Sequence, residues 1–122
     1  MPIVTVEVVA DVDHALEPRL AQSLADTVGR ALNSPAGQTW VRIRSLGRDQ
    51  YAENESLVEA GGMPVFVTVL ERLPPSGAEL PAEVATLTQA IAQVVGRPAA
   101  CVHIEYVPAA VGRVSFGGKL VQ

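Results

Sequence analysis

The hydrophobic residues of this chain fall into two rhythms, one of period two and one of period four, and the rhythms recur in the same order in each half. Residues 3–9 are rich in β-branched side chains, with Thr5 and Glu7 breaking the apolar run, which predicts a strand covered at least partly on both faces. Residues 10–17 are polar and acidic, with His14 placed in solvent. Pro18 then sits where a first helical turn tolerates a missing N–H, so a helix is predicted from Glu17–Pro18, or a turn earlier from Asp13. Leu16, Leu20, Leu24, Val28 and Leu32 recur every four residues, while Arg19, Gln22, Ser23, Asp26 and Arg30 face away, as in an amphipathic helix. Turn residues from Asn33 to Gly37 stop that helix, and residues 40–46 alternate as a half-exposed strand.

After a polar connection over residues 47–62, the succession repeats. Residues 65–70 read as a strand, and Pro81 stands near the start of a second helix with Val84, Leu87, Ile91, Val94 and Val95 on its apolar side. Gly96-Arg97-Pro98 ends that helix. In residues 102–107, Val102, Ile104 and Tyr106 point one way and His103 and Glu105 the other. Pro2 and Pro64 lie 62 residues apart, Pro35 and Pro98 63, and Arg42 and His103 61, a coincidence of landmarks that an internal duplication explains. Pro64 is then the silent copy of Pro2, because a mid-chain proline nitrogen is a tertiary amide without basicity.

Each half is β-α-β, and the right-handed crossover rule makes its two strands parallel. The expected fold is a single α/β (α+β) domain with a four-stranded sheet and two helices on one face. Its parts are a first unit over 1–46, a connection over 47–62, a second unit over 63–107 and a tail over 108–122 that reads as a short hairpin or an intersubunit strand with a turn at Gly117–Gly118. The other face of the sheet needs cover, which further subunits would supply.

Composition narrows the partners. The chain has 122 residues with 48% hydrophobic and 18% charged, enough for one core and some surface to hide in a subunit interface. A net charge of −4 and no basic run disfavour nucleic acid and anionic membranes. Eight of the nine cations are Arg, which are forks suited to carboxylates. The one cysteine, Cys101, excludes an internal disulfide and is expected in the core. No signal-like segment opens the chain and no apolar run is long enough to span a bilayer, so a cytoplasmic protein is expected.

The candidate chemistry sits at residue 2. If Met1 is removed, Pro2 presents a free secondary amine at the start of a strand, a group no other residue type supplies. An α-amine begins with a pKa of about 7.7–8.0, so it exchanges protons near neutral pH without much tuning.

Met1–Pro2 opening a strand, the duplicated unit, the spacing from Leu80–Pro81 to Tyr106, the stretch Pro108-Ala109-Ala110-Val111-Gly112 and the closing Phe116-Gly117-Gly118-Lys119-Leu120 together resemble the tautomerase superfamily. That group includes 4-oxalocrotonate tautomerase, macrophage migration inhibitory factor and cis-3-chloroacrylic acid dehalogenase. The resemblance implies a homotrimer with active sites between subunits, no metal or organic cofactor, and a small carboxylate substrate. Its activity would be keto-enol tautomerisation of 2-oxo or 2-hydroxydienoate acids with Pro2 as proton shuttle. Decarboxylation or hydration of small unsaturated acids by the same proline, or a non-catalytic binding module, are the alternatives. By the same resemblance Arg72 is the carboxylate anchor and His103 stands where two-unit relatives place a tyrosine from the neighbouring subunit. Arg42, its pseudo-symmetric partner, belongs beside Pro64. Arg72 is followed by Leu73-Pro74-Pro75, and Val114 stands where the dehalogenases carry a water-activating glutamate, so hydrolytic dehalogenation is not expected. Asn33-Ser34 replaces the lysine that follows the first helix in the inhibitory-factor branch.

Overall fold

The computed structural model describes residues 1–11 and 16–122, so Asp13, the alternative helix start, and His14 lie outside the described residues. Along the chain run β1 (Ile3–Ala10), α1 (Leu20–Ala31), β2 (Trp40–Gly47), β3 (Val65–Leu70), α2 (Glu79–Val95), β4 (Val102–Tyr106) and a two-stranded hairpin, β5 (Ser115–Phe116) with β6 (Lys119–Leu120). The main sheet has the order β2-β1-β3-β4. The outer pairs are parallel and the central pair is antiparallel, so two β-α-β units lie side by side running in opposite directions.

Period two decides what each strand buries. Val4, Val6 and Val8 of β1 and Val65, Val67 and Val69 of β3 point to the helix side and are buried there. They meet Leu24 and Val28 from α1 and Leu87, Ile91 and Ala92 from α2, the stripe that helical spacing brings to one side of each helix. Both helices pack against this one face. α1 starts at Leu20, two residues later than Pro18 suggests, because Leu20 N–H is held by Glu17 O in a turn at 3.0 Å. Gly96 ends α2 at φ +70°, where its N–H reaches Ala92 O at 2.9 Å, a left-handed cap that glycine adopts without strain.

Two sequence expectations need correction. Val4 pairs with Val41 and Val65 with Val102, and Val4 and Val65 are both buried on the helix side, so setting one on the other gives the strands an offset of 61 residues. The 62-residue step from Pro2 to Pro64 therefore crosses to the opposite pleat, since one residue of slip turns a side chain to the other face. Met63, buried among the core residues, takes the pleat that Pro2 takes in β1, and Pro64 is not the positional copy of Pro2. Cys101 is only half-buried: it lies in the 3-10 turn Ala99–Cys101, with its Sγ 3.8 Å from Gly61 O, at the edge of the core instead of inside it.

The face of the sheet away from the helices carries Thr5, Arg42, Phe66, Thr68, His103 and Glu105, a polar surface around one aromatic ring. Arg42 Nη2 donates to Thr5 Oγ1 at 3.3 Å, and Thr68 Oγ1 donates to Glu105 Oε1 at 3.2 Å. Among the described residues, no helix is long and apolar enough to cross a membrane and no cluster of His, Cys, Asp or Glu is arranged to hold a metal ion.

Candidate active site

Antiparallel pairing brings the start of β1 against the end of β3. The register runs from Val8 opposite Val65 to Ile3 opposite Leu70, and its next step sets Pro2 across from Glu71. Pro2 is buried and is fixed at this end through its carbonyl, which accepts the Trp40 N–H at 3.0 Å. The Trp40 ring in turn stacks on Phe116 of the C-terminal hairpin, centroids 5.0 Å apart and 23° from parallel. The hairpin thus belongs to the Pro2 end of the sheet, and Phe116 packs on its own chain.

A cavity of about 280 Å³ opens here, lined by Met1, Pro2, Leu32, Asn33, Ser34 and Pro35 on one side and by Glu71, Arg72, Leu73 and Glu83 on the other. Arg72 is exposed, and its Nε donates to the backbone carbonyl of Gln122. The C-terminal segment also caps the strand end: Ala110 N–H binds Glu71 O at 2.9 Å and Val111 N–H binds Arg72 O at 3.3 Å. Of the four residues singled out from the sequence, Pro2 and Arg72 therefore share one cavity. Arg42 and His103 lie elsewhere within a single chain. Arg42 is beside Thr5 on the open face, and His103 packs at 5.6 Å against the Phe66 ring, which also meets Tyr51 at 5.8 Å.

Three polar groups that pattern reading passes over complete this end. Glu71 prolongs the buried alternation Val65, Val67, Val69, so its side chain turns toward the helices. Glu83 comes from the first turns of α2, and Tyr106, beside Val69 in the register, donates its hydroxyl to Glu83 Oε2 at 2.7 Å. Glu71 Oε1 is buried and has no hydrogen-bond partner. Burial, then a hydrogen bond and the charge of Glu83, push the Glu71 carboxyl up to about 8, while the N-terminal amine pulls it down. A buried carboxyl oxygen without a partner is disfavoured as an anion, and this is the burial that keeps the proton on Glu71. Burial and Glu83 likewise raise the Tyr106 phenol far above its ordinary range.

A signal for this cluster exists in the repeat. The helices align with an offset of 63, Leu24 with Leu87 and Val28 with Ile91, which sets Glu83 where α1 has the buried Leu20. By the strand offset, Glu71 and Tyr106 stand where the first half has Ala10 and Ser45. Acids thus occupy core-directed positions at one end of the sheet and not at the other.

The raised Glu71 has a thermodynamic consequence. The folded chain holds this proton between pH 4.5 and about 8 while the unfolded chain has released it. Stability is therefore greatest below that window and falls as pH rises through it. The urea midpoint of the wild type should drop between those pH values, and Glu71→Gln should flatten the drop and leave the variant the more stable protein at the alkaline end. A wild-type midpoint that rises over the window contradicts the assignment.

No protein-family model matches the sequence, and no curated protein matches it. Solved structures do. The structure of Pt0534 inactivated by 2-oxo-3-pentynoate superposes with a TM-score of 0.73 at 15% identity, covering 98% of this chain and 96% of that one. A fused 4-OT, F6, an asymmetric trimer, gives 0.73 at 20% identity over 96% of this chain and 95% of its own. The macrophage migration inhibitory factor of Trichinella spiralis gives 0.73 at 18% identity, with 97% and 98% covered. These are tautomerase superfamily proteins, and the chain has their fold: a four-stranded mixed sheet with two helices.

Proposed function

We propose that this chain is a tautomerase superfamily enzyme that moves a proton between oxygen and carbon of a small 2-oxo or 2-hydroxydienoate acid, with the amine of Pro2 as the shuttle once Met1 is removed. One observation carries the reading: Pro2 opens a central strand and lines a cavity together with Arg72. The amine supplies a proton carrier whose ordinary pKa lies near neutrality, and the Arg72 guanidinium supplies a fork for a carboxylate and for charge that builds on the enolate oxygen. The fused 4-OT neighbour, a trimer, supports the further reading that chains assemble as a trimer, with His103 of one subunit assisting at the carbonyl in another. Arg42 stands at the equivalent place in the other half. No cofactor enters this chemistry.

A second reading, decarboxylation or hydration of a small unsaturated acid, is favoured by the carboxyl pair beside Pro2, because a protonated amine delivers its proton to carbon first. The test is a panel of phenylenolpyruvate, 2-hydroxymuconate, malonate semialdehyde and an acetylenic acid, offered to protein whose intact mass shows that it begins at Pro2. Ketonisation of the first two is the expected result, and products from the last two alone support the second reading. No turnover on any member sinks both and leaves a binding module.

A further inference from the structure

The end of the sheet that holds Pro2 contains more acid than proton transfer by the amine requires. Every titratable group there can be assigned to an element. Pro2, whose amine is free once Met1 is removed, immediately precedes β1, Glu71 and Arg72 follow β3, Glu83 comes from α2 and Tyr106 from β4. The loop after α1 contributes Leu32, Asn33, Ser34 and Pro35, none of them charged. Two carboxyl groups and one guanidinium thus line the same cavity as Pro2, and the guanidinium donates its Nε to the Gln122 carbonyl.

The carboxyl groups are not solvated side chains that happen to be near. Glu83 is half-buried and fixed by the Tyr106 hydroxyl at 2.7 Å. Glu71 lies on the same helix-facing pleat as Pro2, one register step beyond Leu70, with a buried oxygen that lacks a partner. Two carboxyl groups that line one partly dry cavity, one of them with a buried and unpartnered oxygen, oppose each other's ionisation, so the pair keeps one proton and one negative charge at neutral pH. An ammonium next to that charge is stabilised, and Arg72 works in the opposite direction.

We infer that Glu71 and Glu83, held by Tyr106, form a one-proton carboxyl pair whose single negative charge keeps the Pro2 amine in its ammonium form through neutral pH. This rests on the reading of Pro2 as a free amine. Glu71 and Glu83 act as positioning residues through Pro2. In the resting state the Pro2 N–H bond breaks as the new C–H bond forms on the enol, whose oxygen becomes a protonated carbonyl. That oxygen then returns its proton to the neutral amine, so the cycle closes with no net gain or loss.

The experiment follows the nitrogen of Pro2 by NMR against pH in proline-labelled protein that begins at Pro2, with no substrate present. In the wild type the amine should titrate above the ordinary α-amine value of about 7.7–8.0. Glu71→Gln/Glu83→Gln should lower it by about one unit, a tenfold change in the protonation equilibrium. Each single variant should move it much less, because one carboxylate and its charge remain. That contrast separates a shared proton from two independent charges. Wild-type and double variant titrating together overturn the inference.

The wild type supplies a second readout should the double variant fail to fold. The glutamate side-chain carbons should show one carboxyl releasing its proton far above the ordinary range, and all of them titrating normally would also overturn it. A shifted amine in a protein without turnover sinks the tautomerase reading and keeps the carboxyl pair. Turnover with an unshifted amine does the reverse.

Discussion

A chain that keeps Met1 is expected to lose its enol-acid turnover by about 10²–10⁴-fold relative to the chain beginning at Pro2, the range that a positioned acid-base group contributes. Retention of Met1 converts the proline nitrogen into an amide without a lone pair to offer, and it moves the free amine from Pro2 to Met1. The fold should be untouched, because β1 pairs with its neighbours from Ile3 onward. Pro2→Ala is a gentler test. It keeps an α-amine but loses the ring that fixes the nitrogen, so it should fall between the two. The decisive comparison is ketonisation of phenylenolpyruvate by samples matched in mass and in urea stability. Equal rates in the Met1-retaining and processed proteins would remove Pro2 from the chemistry altogether.

Leu87→Ala is expected to cost about 2–5 kcal/mol of stability, the range for truncating a fully buried leucine. Leu87 has no exposed surface and sits where α2 meets the central strands, with Val67 and Ile91 in the same core. Truncation leaves a cavity that β-branched neighbours on a paired sheet cannot close by shifting rotamers. Leu57, 95% exposed in the connection between the halves, is the control, and its alanine variant should remain within about 0.5 kcal/mol of the wild type. Urea unfolding of both variants gives the comparison. A Leu87 variant as stable as the Leu57 variant would mean that the helices do not pack on the sheet as described.

The strands and helices were legible because each burial environment leaves a period. β3 shows it most clearly, since Val65, Val67 and Val69 are apolar for the core while Phe66 and Thr68 face away. Helix ends were legible where chemistry is local, as at Gly96, and less so at Leu20, where a turn through Glu17 delays the helix past its proline. The Pro2–Pro64 equivalence failed because counting along a chain ignores parity, and parity decides the face of a strand. Pro2 was legible as a strand-opening amine and Arg72 was found from the resemblance, and register explains why they share a cavity. Glu71 and Glu83 escaped notice because a charged residue in an apolar series reads as a solvent-facing interruption. Only the pairing of β1 with β3 and the Tyr106–Glu83 hydrogen bond show that they point inward. Arg42 and His103 were legible as a pseudo-symmetric pair, and their place on the open face means that any shared site must draw them from another copy of the chain.

The stack of Trp40 on Phe116 has a practical corollary. Trp40 is the single tryptophan of the sequence, its backbone N–H binds the Pro2 carbonyl, and its ring is the surface on which the Gly117–Gly118 hairpin rests. Indole emission depends on local solvent, so the protein carries one native fluorophore that watches the docking of its tail and the seating of its first residues together.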